Sequence, residues 1–211
     1  MARRGDTVGA GRGGVREARR RELIEATISS IAKRGLSGTT LNSVTEEAGL
    51  SHGTVNFHFV SKEALYAETL RALADEHQVH WQGALDQAGP DPAERLSAVV
   101  AADFAPAVCS RRKVAVWFAF WGQARHRPTY LAIQSAHDDH RRERLENLCA
   151  DLAAAGGYDE IVPKVAARNL EAVIDGLWLQ VLLYPKEMKR EEALANAKAF
   201  LASLFPRHFE V

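Results

Sequence analysis

The 211-residue sequence has little cysteine and no long uninterrupted apolar stretch. Its two cysteines, Cys109 and Cys149, form no CxxC pair and are too few for a disulfide framework or a cysteine-based zinc cluster. No apolar run approaches the roughly 18 residues that span a bilayer, and the N-terminal residues lack the apolar core of a signal peptide. We therefore expect free thiols, a cytoplasmic location and no membrane partner.

The sequence also lacks an excess of either charge, since 27 Lys and Arg balance 27 Asp and Glu. A neutral chain at first argues against a nucleic-acid partner. The charges are unevenly placed, however: residues 1–62 hold ten basic and six acidic side chains, whereas residues 63–211 hold seventeen and twenty-one. Chance placement explains such an asymmetry, and so does a basic end that meets a polyanion.

Helical periodicity is the strongest pattern present. Apolar residues recur at helical spacing, and no run alternates with the period of two that strands require, so we predict an all-α fold. Gly and Pro separate the segments. The predicted helices begin at Arg16 (ending before Gly35), after Thr40 (ending at Gly49), after Ser51, at Lys62 (toward Trp81), at Ala93 (to Val108), at Arg111 (to Arg125), at Pro128 (to Ala154) and at Pro163 (to Tyr184), and a last one carries Leu194 and Leu204.

Two short predicted helices meet at the turn Gly49-Leu50-Ser51, which is the spacing of a helix-turn-helix. Thr40 is placed to cap the first of them and Ser51 the second. Val44, Ala48 and Val55 are predicted to hold the pair together. Spacing alone is a weak signal, so the residues around the turn matter more.

Those residues resemble the TetR family of bacterial transcriptional regulators. The likeness covers about 50 residues from Arg16 to Leu65 and is carried by the string Thr39-Thr40-Leu41-Asn42-Ser43-Val44-Thr45-Glu46-Glu47-Ala48-Gly49-Leu50-Ser51-His52-Gly53-Thr54-Val55-Asn56-Phe57-His58-Phe59-Val60-Ser61-Lys62-Glu63-Ala64-Leu65. It implies a DNA-binding domain at 15–62 and a helical ligand-binding and dimerisation domain at 63–211. Residues 1–14 are rich in Gly and Arg and hold almost no bulky apolar side chains, so we predict a disordered basic arm there. Arg3, Arg4 and Arg12 of the arm are expected to add phosphate or minor-groove contacts.

The side chains predicted to contact DNA lie on the second short helix and at the starts of its neighbours. Asn56 suits an adenine edge, Phe57 or Thr54 a thymine methyl, and Thr40 and Lys62 suit phosphates. Asn56, His58 and Thr45 depart from the usual family pattern, and a histidine without a DNA role remains the alternative for His52 and His58. The full predicted set is Thr40, Ser51, His52, Thr54, Asn56, Phe57, His58 and Lys62.

Aromatic residues are concentrated in Val116–Trp121, where Trp117 and Trp121 are one helical turn apart. Rings at this spacing are as often core as binding site. The alternative is an aromatic cage for a quaternary ammonium ion, which cation–π contacts attract. Phe104 and Trp178 are placed to complete such a cluster.

A second resemblance favours the cage. Trp117-Phe118-Ala119-Phe120-Trp121, His126-x-Pro128 and Ile174-Asp175-Gly176-Leu177-Trp178-Leu179 are similar to the BetI-type subgroup, which responds to choline. The likeness implies a ligand site of Phe104, Trp117, Phe120, Trp121, Asp175 and Trp178. Asp103 and Asp175 are the candidate carboxylates for a cation, although a helix cap or a surface ion pair explains either one equally well.

The resemblance further implies a homodimer through the last two long helices. Their apolar faces are larger than one buried face requires, and dimerisation matches two half-sites on DNA. These faces comprise Leu170, Val173, Ile174, Leu177 and Val181 on one helix and Leu194, Ala197, Phe200, Leu201 and Leu204 on the other.

We therefore predict a repressor that binds a palindromic operator as a dimer and is released by a small molecule, with choline or a related quaternary ammonium compound as the candidate. The alternatives are a TetR-type regulator with an unrelated apolar or aromatic effector, a DNA-binding dimer that senses nothing, and an enzyme. No GxSxG, P-loop or supported GxGxxG motif is present, so neither a catalytic residue nor a cofactor is predicted. The pairs His77-x-x-His80 and His137-Asp138-Asp139-His140 have metal-binding spacing, but charged helix surfaces often produce such pairs and no metal is predicted.

Overall fold

The computed structural model describes residues 8–210, with side chains from Gly14 onward. These residues contain nine helices and no strand, which confirms the all-α prediction. The helices are α1 (Val8–Gly38), α2 (Leu41–Ala48), α3 (His52–His58), α4 (Lys62–Gln87), α5 (Pro92–Asp103), α6 (Arg111–Ala124), α7 (Pro128–Gly156), α8 (Pro163–Leu183) and α9 (Arg190–Leu204). No helix among the described residues is both long enough and apolar enough to cross a membrane.

The start of α1 differs from the sequence prediction. The disordered arm was predicted for residues 1–14, but α1 includes residues 8–14, and residues 1–7 lie outside the described part of the chain. Once packing holds the later turns of a helix, each residue added at its end gains a backbone hydrogen bond. These backbone hydrogen bonds extend α1 into a segment whose side chains gain little from burial.

The chain divides into two compact units, residues up to 72 and residues from 73. The sequence placed the boundary at residue 62, ten residues earlier. The first turns of α4 belong to the first unit because Leu65 and Leu70 are fully buried and the Tyr66 hydroxyl donates to the Thr39 carbonyl at 2.9 Å. Helix α4 thus contributes residues to both units.

Local capping chemistry shapes the helix-turn-helix of the first unit. Thr40 caps α2: its side-chain oxygen accepts from the Ser43 amide at 3.1 Å, and the Ser43 hydroxyl accepts from the Thr40 amide at 3.0 Å. Gly35 interrupts the helical backbone of α1 and Gly49 ends α2, with φ of 71° and 63°, a region where a side chain would be strained. Ser51 occupies the cap position of α3, although its hydroxyl pairs with Thr54.

Helices α5 to α9 and the later part of α4 form the second unit. Helix α7 packs against α5, α6 and α8, and α8 also packs against α6 and α9. Helix α5 ends at Asp103 rather than at the predicted Val108, because Pro106 disfavours helical backbone in the residue before it. Asp91 and Ser110 cap α5 and α6 with side-chain hydrogen bonds.

Candidate functional site

Helix α3 presents a mostly polar, solvent-exposed surface. Val55 on α3 and Phe59 after it are buried and fix the helix to the first unit. Among the side chains predicted to contact DNA, Thr40, Ser51, His52, Asn56 and Phe57 are exposed, and Thr54, His58 and Lys62 are half-buried. The structure therefore leaves the whole predicted set accessible, at least in part.

Phe57 is the most unusual member of this set. The residue is 70% exposed, although a phenylalanine normally gains free energy from burial. The ring makes an edge contact with His58, with centroids 5.1 Å apart, and the Arg16 guanidinium lies 5.6 Å from the ring centroid. A large apolar ring bordered by a cationic side chain suits a surface that meets both base methyl groups and phosphates.

A cavity of about 300 Å³ lies within the second unit. Three indole rings line it, Trp117 and Trp121 from α6 and Trp178 from α8. The ring centroid of Trp117 is 6.0 Å from that of Trp121 and 6.5 Å from that of Trp178. Trp178 is held in place because its Nε1–H donates to the Asp103 carbonyl at 3.0 Å.

Four of the six predicted ligand residues line this cavity: Trp117, Trp121, Asp175 and Trp178. The other two do not. Phe104 is buried where α5 ends, and Phe120 is a buried core residue whose ring packs edge-on against Tyr130 with centroids 5.2 Å apart. Both rings are buried in the core of the second unit and not in the cavity lining.

Asp103 lies at the centre of the polar wall of the cavity, with no exposed surface. Its Oδ1 is 2.6 Å from His77 Nε2, and its Oδ2 accepts from Arg141 at 2.5 Å. Burial alone raises the pKa of a carboxyl group, but the charge of Arg141 and the bond to His77 hold the pKa of Asp103 below its ordinary value. Burial lowers the pKa of His77 and outweighs the opposing effect of Asp103, so the imidazole is neutral.

A chain of hydrogen bonds continues from His77 to α7. His77 Nδ1 is 3.2 Å from His137 Nε2, and His137 Nδ1 is 3.3 Å from Asp138 Oδ1. A neutral His77 that donates to Asp103 accepts at Nδ1, so His137 must donate to it.

The arginines of the cavity wall are already engaged by carboxylates. Arg141 also donates to Glu171 at 3.3 Å, and Arg142 donates to Glu171 at 3.2 Å and to Asp139 at 3.1 Å. Partial burial raises the pKa of Glu171 against the opposing effect of these two arginines. Both guanidinium groups of the cavity wall are therefore paired with carboxylates, although the Nε of Arg141 has no hydrogen-bond partner in the described part of the chain.

Among the described carboxylates that line the cavity, Asp175 is the one without a hydrogen-bond or ion-pair partner. Within the described residues, no hydrogen bond or salt bridge engages it. Desolvation by the surrounding cavity atoms raises its pKa to about 7, opposed by Arg141 and assisted by Asp138 and Glu171. The residue as a whole is exposed in the single chain. The desolvation that raises the pKa therefore comes from cavity atoms close to the carboxyl group, and not from burial of the whole residue.

Sequence reasoning missed several wall residues, among them His77, Gln134, His137, Arg141 and Glu171. A partial signal existed in the two histidine pairs with metal-binding spacing. The structure brings His77 and His137, the first histidine of each pair, into contact, but they form a hydrogen bond with each other. No group of three or more His, Cys, Asp or Glu side chains suited to a metal ion occurs among the described residues.

A helix-turn-helix unit followed by a helical unit with an internal cavity defines the class of a DNA-binding transcriptional regulator. Two family models match the chain: that of the bacterial regulatory proteins of the tetR family over residues 23–69, and that of the BetI-type transcriptional repressor C-terminal domain over residues 92–206. The chain belongs to the TetR family and carries a BetI-type C-terminal domain.

Individual relatives agree with this assignment. The chain is 39% identical to an HTH-type transcriptional regulator BetI of Burkholderia thailandensis, covering 87% of this chain and 92% of the relative. It is 36% identical to the protein of that name from Paraburkholderia xenovorans, covering 89% and 94%. These relatives are named as regulators rather than enzymes.

Solved structures share the fold. A protein from Pseudomonas aeruginosa described as a transcriptional regulator matches with a TM-score of 0.79 and 29% identity, covering 92% of this chain and 95% of that one. A protein so described from Saccharomonospora viridis, solved in complex with choline, matches with a TM-score of 0.76 and 21% identity, covering 88% and 96%. At this identity the second match shows the fold alone.

Proposed function

We propose that this chain is a repressor that binds a palindromic operator as a homodimer and releases it when a small quaternary ammonium ion such as choline enters the cavity of the second unit. One observation carries the proposal: three indole rings and the unpaired carboxylate of Asp175 line one cavity. Indole faces attract a desolvated cation with about 2 kcal/mol or more.

The charge pattern of the cavity supports a cation over an anion. Arg141 and Arg142 are each paired with carboxylates, so an anionic ligand would have to compete with these carboxylates for the two guanidinium charges. A cation meets Asp175 without breaking any described ion pair. The choline complex of the Saccharomonospora viridis neighbour is further support, because that protein shares this fold.

The exposed side of α3 supports direct readout of DNA. The Asn56 amide can donate and accept at once, which matches the N6 and N7 atoms of adenine, and Phe57 suits a thymine methyl. Lys62, at the first position of α4, suits a phosphate that fixes the register of α3.

The proposed dimer uses α8 and α9. Much of the predicted apolar surface is already buried within the chain, including Leu170, Ile174 and Leu201. The apolar side chains that remain exposed are those on the other side of α8, above all Val165 at 52% and Leu183 at 55%. Isologous pairing of this face would bury them and set two copies of α3 against two half-sites.

Helix α4 provides a route between ligand and DNA. It carries His77 in the cavity wall, and Lys62 is its first residue. A ligand that displaces His77 would therefore shift α4. A coupling free energy of about 1–3 kcal/mol is enough to weaken DNA binding 5- to 150-fold.

The test uses a palindromic DNA selected from a random pool by the full-length protein. Fluorescence anisotropy then follows DNA release as choline chloride is added to the wild type, to Trp121→Ala and to Val79→Ala, a control at an exposed apolar residue outside the cavity. Choline should release DNA from the wild type and the control, whereas Trp121→Ala should bind DNA and fail to respond. Equal release from Trp121→Ala would reject the cavity as the sensor.

A further inference from the structure

Unpaired polar atoms are concentrated in the cavity wall. Among the described residues, five buried side-chain nitrogen or oxygen atoms have no hydrogen-bond partner: Trp81 Nε1, Arg95 Nε, Trp121 Nε1, Gln134 Oε1 and Arg141 Nε. The last three belong to residues that line the cavity. A buried polar atom without a partner destabilises the protein, so each is a candidate for a ligand contact.

Gln134 Oε1 is the acceptor among these atoms, and its orientation is fixed. The Gln134 Nε2 donates to Asp138 Oδ1 at 2.7 Å, a bond that the carboxylate can make only as acceptor. The amide oxygen is therefore the end left without a partner. It requires a donor, which a quaternary ammonium nitrogen does not have.

Trp121 Nε1 has the complementary requirement. Its ring is packed against Trp117 and edge-on against Phe118, with centroids 6.0 Å and 4.9 Å away. The N–H therefore lacks an acceptor within the described residues. A hydroxyl group is the small neutral group that accepts one hydrogen bond and donates another.

The remaining polar groups of the wall have less need of a ligand. Asp103 is satisfied by His77 and Arg141, and Glu171 by its arginines. Arg141, whose Nε is the third unpaired atom, already donates to two carboxylates through its other nitrogens. Asp175 is exposed and can be hydrated.

We propose that Gln134 and Trp121 determine specificity for a hydroxyl group on the ligand. The cavity then distinguishes a quaternary ammonium alcohol from cations whose side arm can only accept hydrogen bonds, such as an ether or a carboxylate. An acceptor placed at Gln134 Oε1 meets another acceptor and leaves the amide oxygen unsatisfied. This inference rests on the proposed function, because it requires that the cavity bind such cations.

Four trimethylammonium probes test it by isothermal titration of the full-length protein. Their fourth substituents are 2-hydroxyethyl, ethyl, 2-methoxyethyl and carboxymethyl. The hydroxyethyl probe should bind about 10-fold more tightly than the ethyl probe. The methoxyethyl and carboxymethyl probes should bind no more tightly than the ethyl probe, because neither can donate to Gln134.

Matched variants assign the preference to its residues. In Gln134→Met, and to a smaller degree in Trp121→Phe, the ratio of hydroxyethyl to ethyl affinity should fall toward one. Gln123→Met, on α6 and outside the cavity wall, should keep the wild-type ratio. Binding of the ethyl probe shows that each variant is folded.

The outcomes separate this inference from the proposed function. If none of the probes binds the wild type at millimolar concentration, the proposed function fails and this inference with it. If all four bind with equal affinity, or if Gln134→Met keeps the full preference, the cation site stands and the hydroxyl assignment is overturned. Tighter binding of the carboxymethyl probe would assign the unpaired atoms to a carboxylate and also overturn it.

Discussion

The two units keep their functional side chains in opposite environments. On α3, Asn56 and Phe57 are exposed and lie on a short helix held by Val55. In the cavity, Asp103 and Trp117 are buried, and the carboxylate of Asp103 is bonded on both of its oxygens. The side chains on the exposed side of α3 are available to a partner, whereas most polar groups of the cavity wall are hydrogen-bonded within the protein.

This contrast has an energetic meaning. Exposed side chains cost the fold little, so they are free to match a DNA sequence. Removal of one member of a buried charge network strongly destabilises a protein, because the partner is left buried without a counter-charge. A ligand that enters such a wall can move a whole helix, because packed helices shift as units.

The largest expected effect separates two carboxylates of the same cavity. Asp103→Ala leaves Arg141 buried beside an empty position, so the free energy of unfolding should fall by about 3–5 kcal/mol. Asp175→Asn removes a desolvated charge that has no ion-pair partner, so at pH 8 it should not lower the free energy of unfolding and should raise it by no more than about 1 kcal/mol. Urea denaturation measures both, with the exposed loop variant Asp159→Asn as control. Equal losses for Asp103→Ala and Asp175→Asn would contradict the account of the wall.

An intermediate effect is expected on the DNA side. Asn56→Ala should weaken binding to the selected operator by about 1–3 kcal/mol and relax the preference at one base position. Anisotropy titrations measure this against Asn147→Ala, an exposed control on α7. Choline affinity in the absence of DNA serves as the folding check. Weakening that is uniform across all DNA sequences would show that Asn56 contacts the backbone instead.

The smallest effect concerns pH and the ligand. Since the pKa of Asp175 is raised to about 7, its carboxyl is neutral below that pH and negative above it. Choline affinity should therefore rise about two- to fivefold between pH 6 and pH 8, the range of a partly exposed ion pair. Titration calorimetry should show a flatter profile for Asp175→Asn. A rise of the same size in that variant would assign the titration to another group.

Local features of the fold could be predicted from sequence. Thr40 and Gly49 act through neighbours within a few residues, so their types and spacing already predict the cap of α2 and the turn. Ser51 was correctly placed at the start of α3, but its hydroxyl pairs with Thr54 and makes no capping hydrogen bond. The indole pair Trp117 and Trp121 was predictable for the same reason, because residues four apart share a helix face.

The polar wall could not be predicted in this way. His77, Asp103 and Arg141 lie on three helices, and no periodic pattern encodes which of them will meet. Phe120 illustrates the same limit on a smaller scale. It neighbours Trp121 in sequence, yet the packing of α6 against Tyr130 on α7 places its ring in the core.

The most direct test of the account measures one affinity in two states. Choline is titrated into the full-length protein alone and into the protein saturated with its selected operator. If the cavity and α3 are coupled, the operator must weaken choline binding by the same factor by which choline weakens operator binding, about 5- to 150-fold. Identical choline affinities in the two states would contradict the claim that this cavity controls DNA binding.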